Sequence, residues 1–147
     1  MKISIFAGVL LISAAVLSDK VKHDVAWFTN QHIADEMHES DCANVINGRG
    51  IMKDNGGCKW SNTFIKASLD TVTGVCKTPL LNPKSNLHRS TGTFTLIHCE
   101  QTKEMAQKKA KSPDCEYKEG EVKTEKTIVI GCDTKGNPIH FEEFEPK

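Results

Sequence analysis

The sequence predicts an α+β domain, because patterns typical of helices fill its first half and patterns typical of strands fill its second half. Apolar residues recur at helical spacing near the start, whereas β-branched and aromatic residues alternate with polar ones after residue 90. Six cysteines, each separated from the next by 16 or more positions, add a covalent framework. A chain of 147 residues has room for one such domain but not comfortably for two.

Three segments of the first half are predicted to be helical. Residues 23–37 contain apolar side chains at helical spacing, and Asp41 is suited to cap a second, short helix that ends at Asn47-Gly48. Residues 67–75 form the third predicted helix, which ends near Gly74.

Three segments of the second half are predicted to be strands. Residues 91–99 alternate and are rich in strand-forming types, residues 127–130 are continuously apolar, and residues 138–144 form a terminal strand. The lysine-rich residues 103–111 resemble a nucleic-acid patch, but a solvated loop or short helix is the favoured interpretation.

The N-terminus has the pattern of a secretory signal peptide. Met1-Lys2 is a minimal basic start, and the apolar run that follows is about 15 residues long, short of the roughly 20 that span a bilayer. Cleavage is expected after Ser18, so the mature domain would comprise residues 19–147 and be secreted to the extracellular space.

The cysteines favour three disulfides over a metal site. No CxxC pair is present, and zinc sites usually take two ligands from one tight turn. Wide spacing in an exported chain is typical of disulfides, although six cysteines allow 15 pairings that spacing cannot distinguish. No metal or other cofactor is expected.

Charge is unevenly distributed along the predicted mature chain, whose net charge is −1 without residues 1–18. Residues 51–111 contain ten basic and four acidic residues, a net of +6, whereas residues 19–50 carry −3 and residues 112–147 carry −4. A basic middle segment is suited to hold a polyanion, and the alternative is a solvated face whose excess is chance. The low net charge disfavours a host-defence protein that disrupts membranes.

Three short segments carry the candidate chemistry: Gln31-His32, residues 58–64 with Lys59, and His140-Phe141. Two histidines and a lysine suffice to cut RNA without metal, since the ribose 2′-OH is a built-in nucleophile. A lone histidine is more often structural, and His23, His38, His88 and His98 are assigned to that class.

The spacing of these segments resembles the ribonuclease A family of pancreatic-type ribonucleases. Its motifs are matched by Cys58-Lys59-x-x-Asn62-Thr63-Phe64, by Phe28-x-x-Gln31-His32, by residues 112–118 and by residues 136–141. The resemblance implies a bent antiparallel sheet with three helices. It also implies the disulfides Cys42–Cys99, Cys58–Cys115 and Cys76–Cys132, without the fourth bridge of pancreatic ribonuclease.

The resemblance also implies a role for each site residue. His32 would be the general base, His140 the general acid and Lys59 the cation that stabilises the transition state, which yields a 2′,3′-cyclic phosphate. The substrate-binding residues would be Gln31, Asn62, Thr63 and Phe141, with Thr63 selecting pyrimidines. An alternative for Asn62-Thr63 is an ordinary strand pair with satisfied polar groups.

Several residues differ from the family pattern at positions that contact the acid histidine, the base or the RNA phosphates. Glu142 replaces the aspartate that orients the acid histidine, and His98 occupies a position that tunes base preference in some members. Trp27 and Asn30 replace basic residues that touch flanking phosphates, which predicts a weaker grip on long RNA. The acidic residues at the C-terminus, Glu142, Glu143 and Glu145, are expected to repel RNA, unless the end is mobile and screened.

The predicted partner is RNA, and the protein is expected to be a monomer. The rival interpretation is an angiogenin-like signalling protein with weak ribonuclease activity, suggested by Asn86-Leu87-His88-Arg89 and by the absent fourth bridge. That interpretation would add a cell-surface receptor or a ribonuclease inhibitor as a partner.

Overall fold

The structure is a computed structural model and describes residues 22–146. The predicted signal peptide, residues 1–18, lies outside the described residues and stays a prediction. No helix in the described part is long and apolar enough to cross a membrane.

All three predicted helices are present. They are α1 (Val25–His32), α2 (Cys42–Gly48) and α3 (Leu69–Thr73). A further single-turn helix, α4 (Lys103–Gln107), lies in the lysine-rich segment, in agreement with the expected loop or short helix. The Asp24, Ser68 and Thr102 side chains cap α1, α3 and α4 by accepting hydrogen bonds from backbone N–H groups three residues ahead.

Five strands form one antiparallel sheet. They are β1 (Ser61–Ile65), β2 (Leu87–Arg89), β3 (Phe94–Glu100), β4 (Glu121–Cys132) and β5 (Pro138–Pro146). The 12-residue β4 is central: it pairs with β3 through its first half and with both β2 and β5 through its second half. β1 pairs with the other edge of β3, so that β1 and β5 lie at opposite ends of the pairing order.

The core lies on both faces of this sheet. On β1, Phe64 packs in one buried cluster with Ile46 of α2, while its neighbour Ile65 packs in a second cluster with Phe28 of α1 and Val72 of α3. Successive residues of a strand point to opposite faces, so β1 has apolar contacts on each side. Helix α2 therefore packs on one face of the sheet, and α1 and α3 pack on the other.

The three disulfides join the pairs that the family resemblance implied, and that prediction is confirmed. Cys42–Cys99 ties α2 to β3, Cys58–Cys115 ties the segment before β1 to the loop after α4, and Cys76–Cys132 ties the turn after α3 to β4. Each is expected to contribute about 2–4 kcal/mol to the free energy of unfolding.

Candidate active site

Helix α1 carries the first candidate residues and is fixed at both ends. Its last residue is His32, and the Ala34 N–H that follows donates to the Ile65 carbonyl of β1 at 3.1 Å. The Arg49 guanidinium donates to the carbonyls of Asn30 at 3.0 Å and Ile33 at 2.7 Å. A cation bonded to the carbonyls at a helix C-terminus stabilises that end, so Arg49 holds the turn that presents His32.

The His32 ring is buried, with 7% of the residue exposed, and packs against Phe28 and Phe141 with ring centroids 5.3 Å away in each case. Its Nδ1 lies 2.8 Å from the Thr63 carbonyl oxygen. A carbonyl only accepts, so Nδ1 carries the proton and the neutral ring has an unprotonated Nε2. Burial lowers the pKa of His32 to about 4, against the hydrogen bond to Thr63, and the positive charges of Lys59 and His140 lower this pKa further.

Lys59 is held by two neutral acceptors. Its Nζ donates to Asn62 Oδ1 at 2.9 Å and to Gln31 Oε1 at 3.3 Å, while the Asn62 amide N–H₂ donates to the Gln31 carbonyl at 2.8 Å. Burial lowers the pKa of Lys59. Among residues 22–146, Lys59 is in no ion pair, so its charge is positioned without being neutralised.

Thr63 lies next to His98 on the neighbouring strand. The two residues are direct partners in the β1–β3 register, and Thr63 Oγ1 is 2.9 Å from His98 Nδ1. Thr63 is also the residue whose carbonyl accepts from His32. One residue therefore connects the candidate base to the candidate nucleobase-binding position.

His140 lies on β5 between two irregularities of the β4–β5 pairing. His140 and Phe141 face Gly131 and Ile130, but Ile139 and Glu142 have no partner in the register. Such bulges redirect side chains and are frequent near active sites. His140 Nε2 lies 2.7 Å from Glu142 Oε1. Glu142 therefore contacts the histidine in the way that the resemblance implied for the aspartate it replaces.

The acidic residues at the C-terminus belong to β5 instead of forming a mobile end, at least as far as Pro146. Arg89 pairs with Glu145 through Nε at 2.7 Å and holds the pKa of that carboxyl below its usual value. A hydrogen bond with Glu145 raises the pKa of Glu143. Glu145 is therefore paired with Arg89, and Glu142 with His140. The predicted repulsion of RNA by the acidic C-terminal residues would come mainly from Glu143.

The structure thus brings the predicted residues of three distant segments together around His32. Asn62 is buried and both ends of its amide contact Lys59 and Gln31, which suits a positioning role better than direct contact with substrate. Sequence reasoning missed Arg49, which supports α1, and Tyr117, whose hydroxyl donates to the Lys59 carbonyl at 2.7 Å. Neither contact has a local sequence signal, although Tyr117 lies within the matched residues 112–118, because each acts across a long chain separation. Among residues 22–146, no group of three His, Cys, Asp or Glu side chains is arranged to hold a metal ion.

Known proteins are similar to this chain in sequence and in fold. The family model described as pancreatic ribonuclease matches residues 23–142. Pancreatic ribonuclease of the dromedary, Camelus dromedarius, is 35% identical over 124 residues, which cover 78% of this chain and 92% of the relative.

Solved structures agree with the sequence comparison. Zebrafish RNase5 is 31% identical and superposes with a TM-score of 0.66, covering 81% of this chain and 92% of its own. The ribonuclease of green turtle egg white is 29% identical, with a TM-score of 0.61 and coverage of 79% and 93%. The chain therefore belongs to the pancreatic ribonuclease family, a family of endoribonucleases.

Proposed function

We propose that this protein is a secreted, pyrimidine-preferring endoribonuclease that cleaves single-stranded RNA by metal-free transphosphorylation. The observation that carries the proposal is the convergence of a buried neutral imidazole, an uncompensated ammonium and a second imidazole, contributed by α1, the segment before β1 and β5. The direct test is to incubate the refolded mature chain with the dinucleotide UpA in EDTA. A 2′,3′-cyclic phosphate product supports the proposal, and its absence contradicts it.

His32 would act as the general base. With Nδ1 donating to Thr63, the neutral ring offers Nε2 to take the proton of the 2′-OH as that oxygen attacks phosphorus. The depressed pKa keeps His32 in the neutral form that a base requires at physiological pH.

His140 would act as the general acid, giving its proton to the departing 5′-oxygen. Its ring is half-exposed and hydrogen-bonded to Glu142, which orients the imidazole. Gly131, its partner on β4, leaves little space, because an added Cβ would lie 3.1 Å from Asn86 Nδ2 and 3.2 Å from the His140 Cβ. A side chain at position 131 is expected to displace Asn86, His140 or both.

Lys59 would stabilise the extra negative charge on the pentacoordinate transition state. Gln31 Oε1 accepts from Lys59, so the Gln31 amide N–H₂ group is suited to hold a phosphate oxygen together with the Phe141 backbone N–H. RNA cleavage needs no further group in this scheme, since the nucleophile belongs to the substrate.

The pH dependence of catalysis should reveal the burial of His32. Because kcat/KM reports the free enzyme and His32 must be neutral, the acid limb should lie well below the ordinary histidine pKa of about 6.5. In the enzyme–substrate complex the phosphate charge favours imidazolium, so the acid limb of kcat should lie at higher pH. Steady-state kinetics on UpA across this range, with far-UV circular dichroism to confirm folding, measures both limbs. Coincident limbs at the ordinary pKa would contradict this account.

Thr63 would select pyrimidines, since its backbone N–H and hydroxyl can pair with either cytosine or uracil. If His98 Nδ1 accepts from the hydroxyl, Oγ1 is left to accept from uracil N3–H; if His98 donates, the hydroxyl proton is left for cytosine N3. The direction of the hydrogen bond to His98 would thus decide whether the Thr63 hydroxyl is arranged to bind uracil or cytosine.

Replacing Thr63 by glycine is expected to relax the pyrimidine requirement, because both the hydroxyl and the wall it forms are lost. Cleavage rates on CpA, UpA and ApA measure the effect, and Thr63→Ser is the matched control that keeps the hydroxyl. Efficient cleavage of ApA by the unmodified protein would rule out this role for Thr63.

The contacts of residues 86–89, the segment that suggested an angiogenin-like signalling protein, do not support that alternative. Arg89 is paired with Glu145, and His88 Nδ1 lies 2.7 Å from the Thr78 carbonyl, so both side chains contact the protein itself. Secretion through residues 1–18 and a monomeric state remain part of the proposal.

A further inference from the structure

A cavity of about 500 Å³ lies beside the candidate active site and is not used by the proposed chemistry. Its lining includes Trp60, Met105 and the lysines Lys53, Lys109 and Lys111, and contains no acidic residue. Its size is within the roughly 300–1,000 Å³ that is usual for binding pockets.

Trp60 is an exposed aromatic side chain on a rigid backbone. The residue is 50% exposed, although its carbonyl accepts from the Gln101 N–H at 3.0 Å and the preceding carbonyl accepts from Tyr117. Aromatic rings held in this way, next to cations, are the usual platforms on which single-stranded nucleic acids stack their bases.

The lysine side of the cavity is also fixed in place. Gly57 and Lys111 form a β-bridge, Ser112 N–H donates to the Gly56 carbonyl at 3.0 Å, and the disulfide Cys58–Cys115 joins the same two segments. These links bring the lysine-rich loop against the residues that precede Lys59. The lysine-rich segment, predicted to be a solvated loop or short helix, therefore lines the same cavity as Trp60.

Lys109 lies over this cavity in a backbone conformation that lysine disfavours. Its φ is 52°, in the left-handed region, just after the end of α4, where glycine or asparagine is usual. Glycine would adopt this conformation without strain.

The cavity shares one lining residue, Lys53, with a cavity at the candidate active site. Lys53 lines this cavity and also a second one of about 570 Å³, whose lining includes Gln31, Lys59 and one acidic residue, Asp54. Lys53 is therefore placed to contact a polynucleotide that extends from the candidate phosphate position at Lys59 toward Trp60.

We propose that the cavity at Trp60 is a subsite for single-stranded RNA beyond the nucleotides that flank the scissile bond, with a base stacked on Trp60 and phosphates held by Lys53, Lys109 and Lys111. The inference rests on the proposed ribonuclease function and extends it to the recognition of longer substrates. These lysines would also give RNA cationic contacts that α1 does not provide, because Trp27 and Asn30 stand where the family resemblance places basic residues.

The first test compares two substrates. Trp60→Ala should leave kcat/KM for UpA nearly unchanged, since a dinucleotide does not reach the cavity. It should lower kcat/KM for a uridine-rich RNA of about ten nucleotides by about 5- to 100-fold, the effect of losing one base stack. Trp60→Phe should recover part of this loss, because phenylalanine still stacks.

The second test isolates the lysines. Binding of a 2′-deoxy oligonucleotide of the same length, which has no nucleophile, is followed by fluorescence anisotropy as salt is varied. Lys109→Gln and Lys111→Gln should each reduce the slope of log K against log salt by about 0.7. Lys108→Gln removes the same charge from a neighbour that is paired with Glu116 at 3.0 Å and does not line the cavity, so its slope should stay unchanged.

Two outcomes would overturn the inference. If Trp60→Ala lowers turnover of both substrates equally and the lysine variants bind normally, Trp60 acts only by supporting Lys59. If long RNA is cleaved and bound normally by every variant, the surface serves another partner, such as a protein. Failure of the proposed function is distinct, because the unmodified protein would then not cleave UpA, and the 2′-deoxy oligonucleotide would still test the subsite.

Discussion

Replacing either His32 or His140 by alanine is expected to lower kcat/KM for UpA by at least about 10²–10⁴-fold, because each removes a proton-transfer group that acts in the transition state. The loss should be the same in buffer with and without EDTA. A requirement for added metal in the unmodified protein would contradict the mechanism.

The two histidines should also behave as one unit. Proton removal by His32 and proton delivery by His140 belong to the same displacement, so the double variant should be only slightly slower than the slower single variant. Additive losses would indicate that the residues act in separate steps.

Controls must separate chemistry from folding. His32→Ala removes a buried ring that contacts Phe28 and Phe141, and it leaves the Thr63 carbonyl without its imidazole partner, so this variant should lose stability as well as activity. His140 is half-exposed, and its variant should unfold at nearly the same temperature as the unmodified protein. His38→Ala, at an exposed histidine outside the site, should keep full activity.

Local patterns in the sequence predicted the helices and the strands β3 and β5 well, but only residues 127–130 of the 12-residue β4. Each of these elements has one buried and one exposed face, or a continuous apolar run, so the period of its apolar residues is visible. A strand at β1 was considered only as an alternative for Asn62-Thr63, because four of its five residues are buried, including these two polar ones, which removes the alternation expected of a strand. β2 is only three residues long and has no pattern to detect.

The site could be predicted only in part. Residue types and their order, together with the family resemblance, predicted His32, Lys59 and His140 as candidate site residues, and the disulfide pairing was implied by the resemblance. Contacts that depend on strand register were not accessible: the opposition of Thr63 and His98, and the bulges that flank His140, follow from pairing between distant segments. The same holds for Trp60, whose neighbours on the lysine-rich loop are about 50 residues away in sequence.

Lys59 is expected to be the third essential group, and Lys59→Gln should lower kcat/KM for UpA by about 10²–10³-fold, the usual cost of losing one fixed donor to a developing negative charge. The amide keeps much of the side chain's length and can still donate a hydrogen bond, so the variant removes mainly the charge. Lys84→Gln, at an exposed loop lysine, is the matched control and should retain activity.

The surroundings of Lys59 explain why the loss should be in kcat more than in KM. The ammonium contacts only the neutral oxygens of Asn62 and Gln31, and burial lowers its pKa, so its charge is less well stabilised in the free enzyme than it would be in water. Additional charge on the phosphorane offsets this deficit more fully than the single charge of the bound phosphodiester does, which makes the interaction strongest in the transition state. Lys59→Arg keeps the charge but presents a planar guanidinium to acceptors placed for a point donor, and should recover only part of the rate. If Lys59→Gln instead raises KM and leaves kcat unchanged, Lys59 contributes to substrate binding alone.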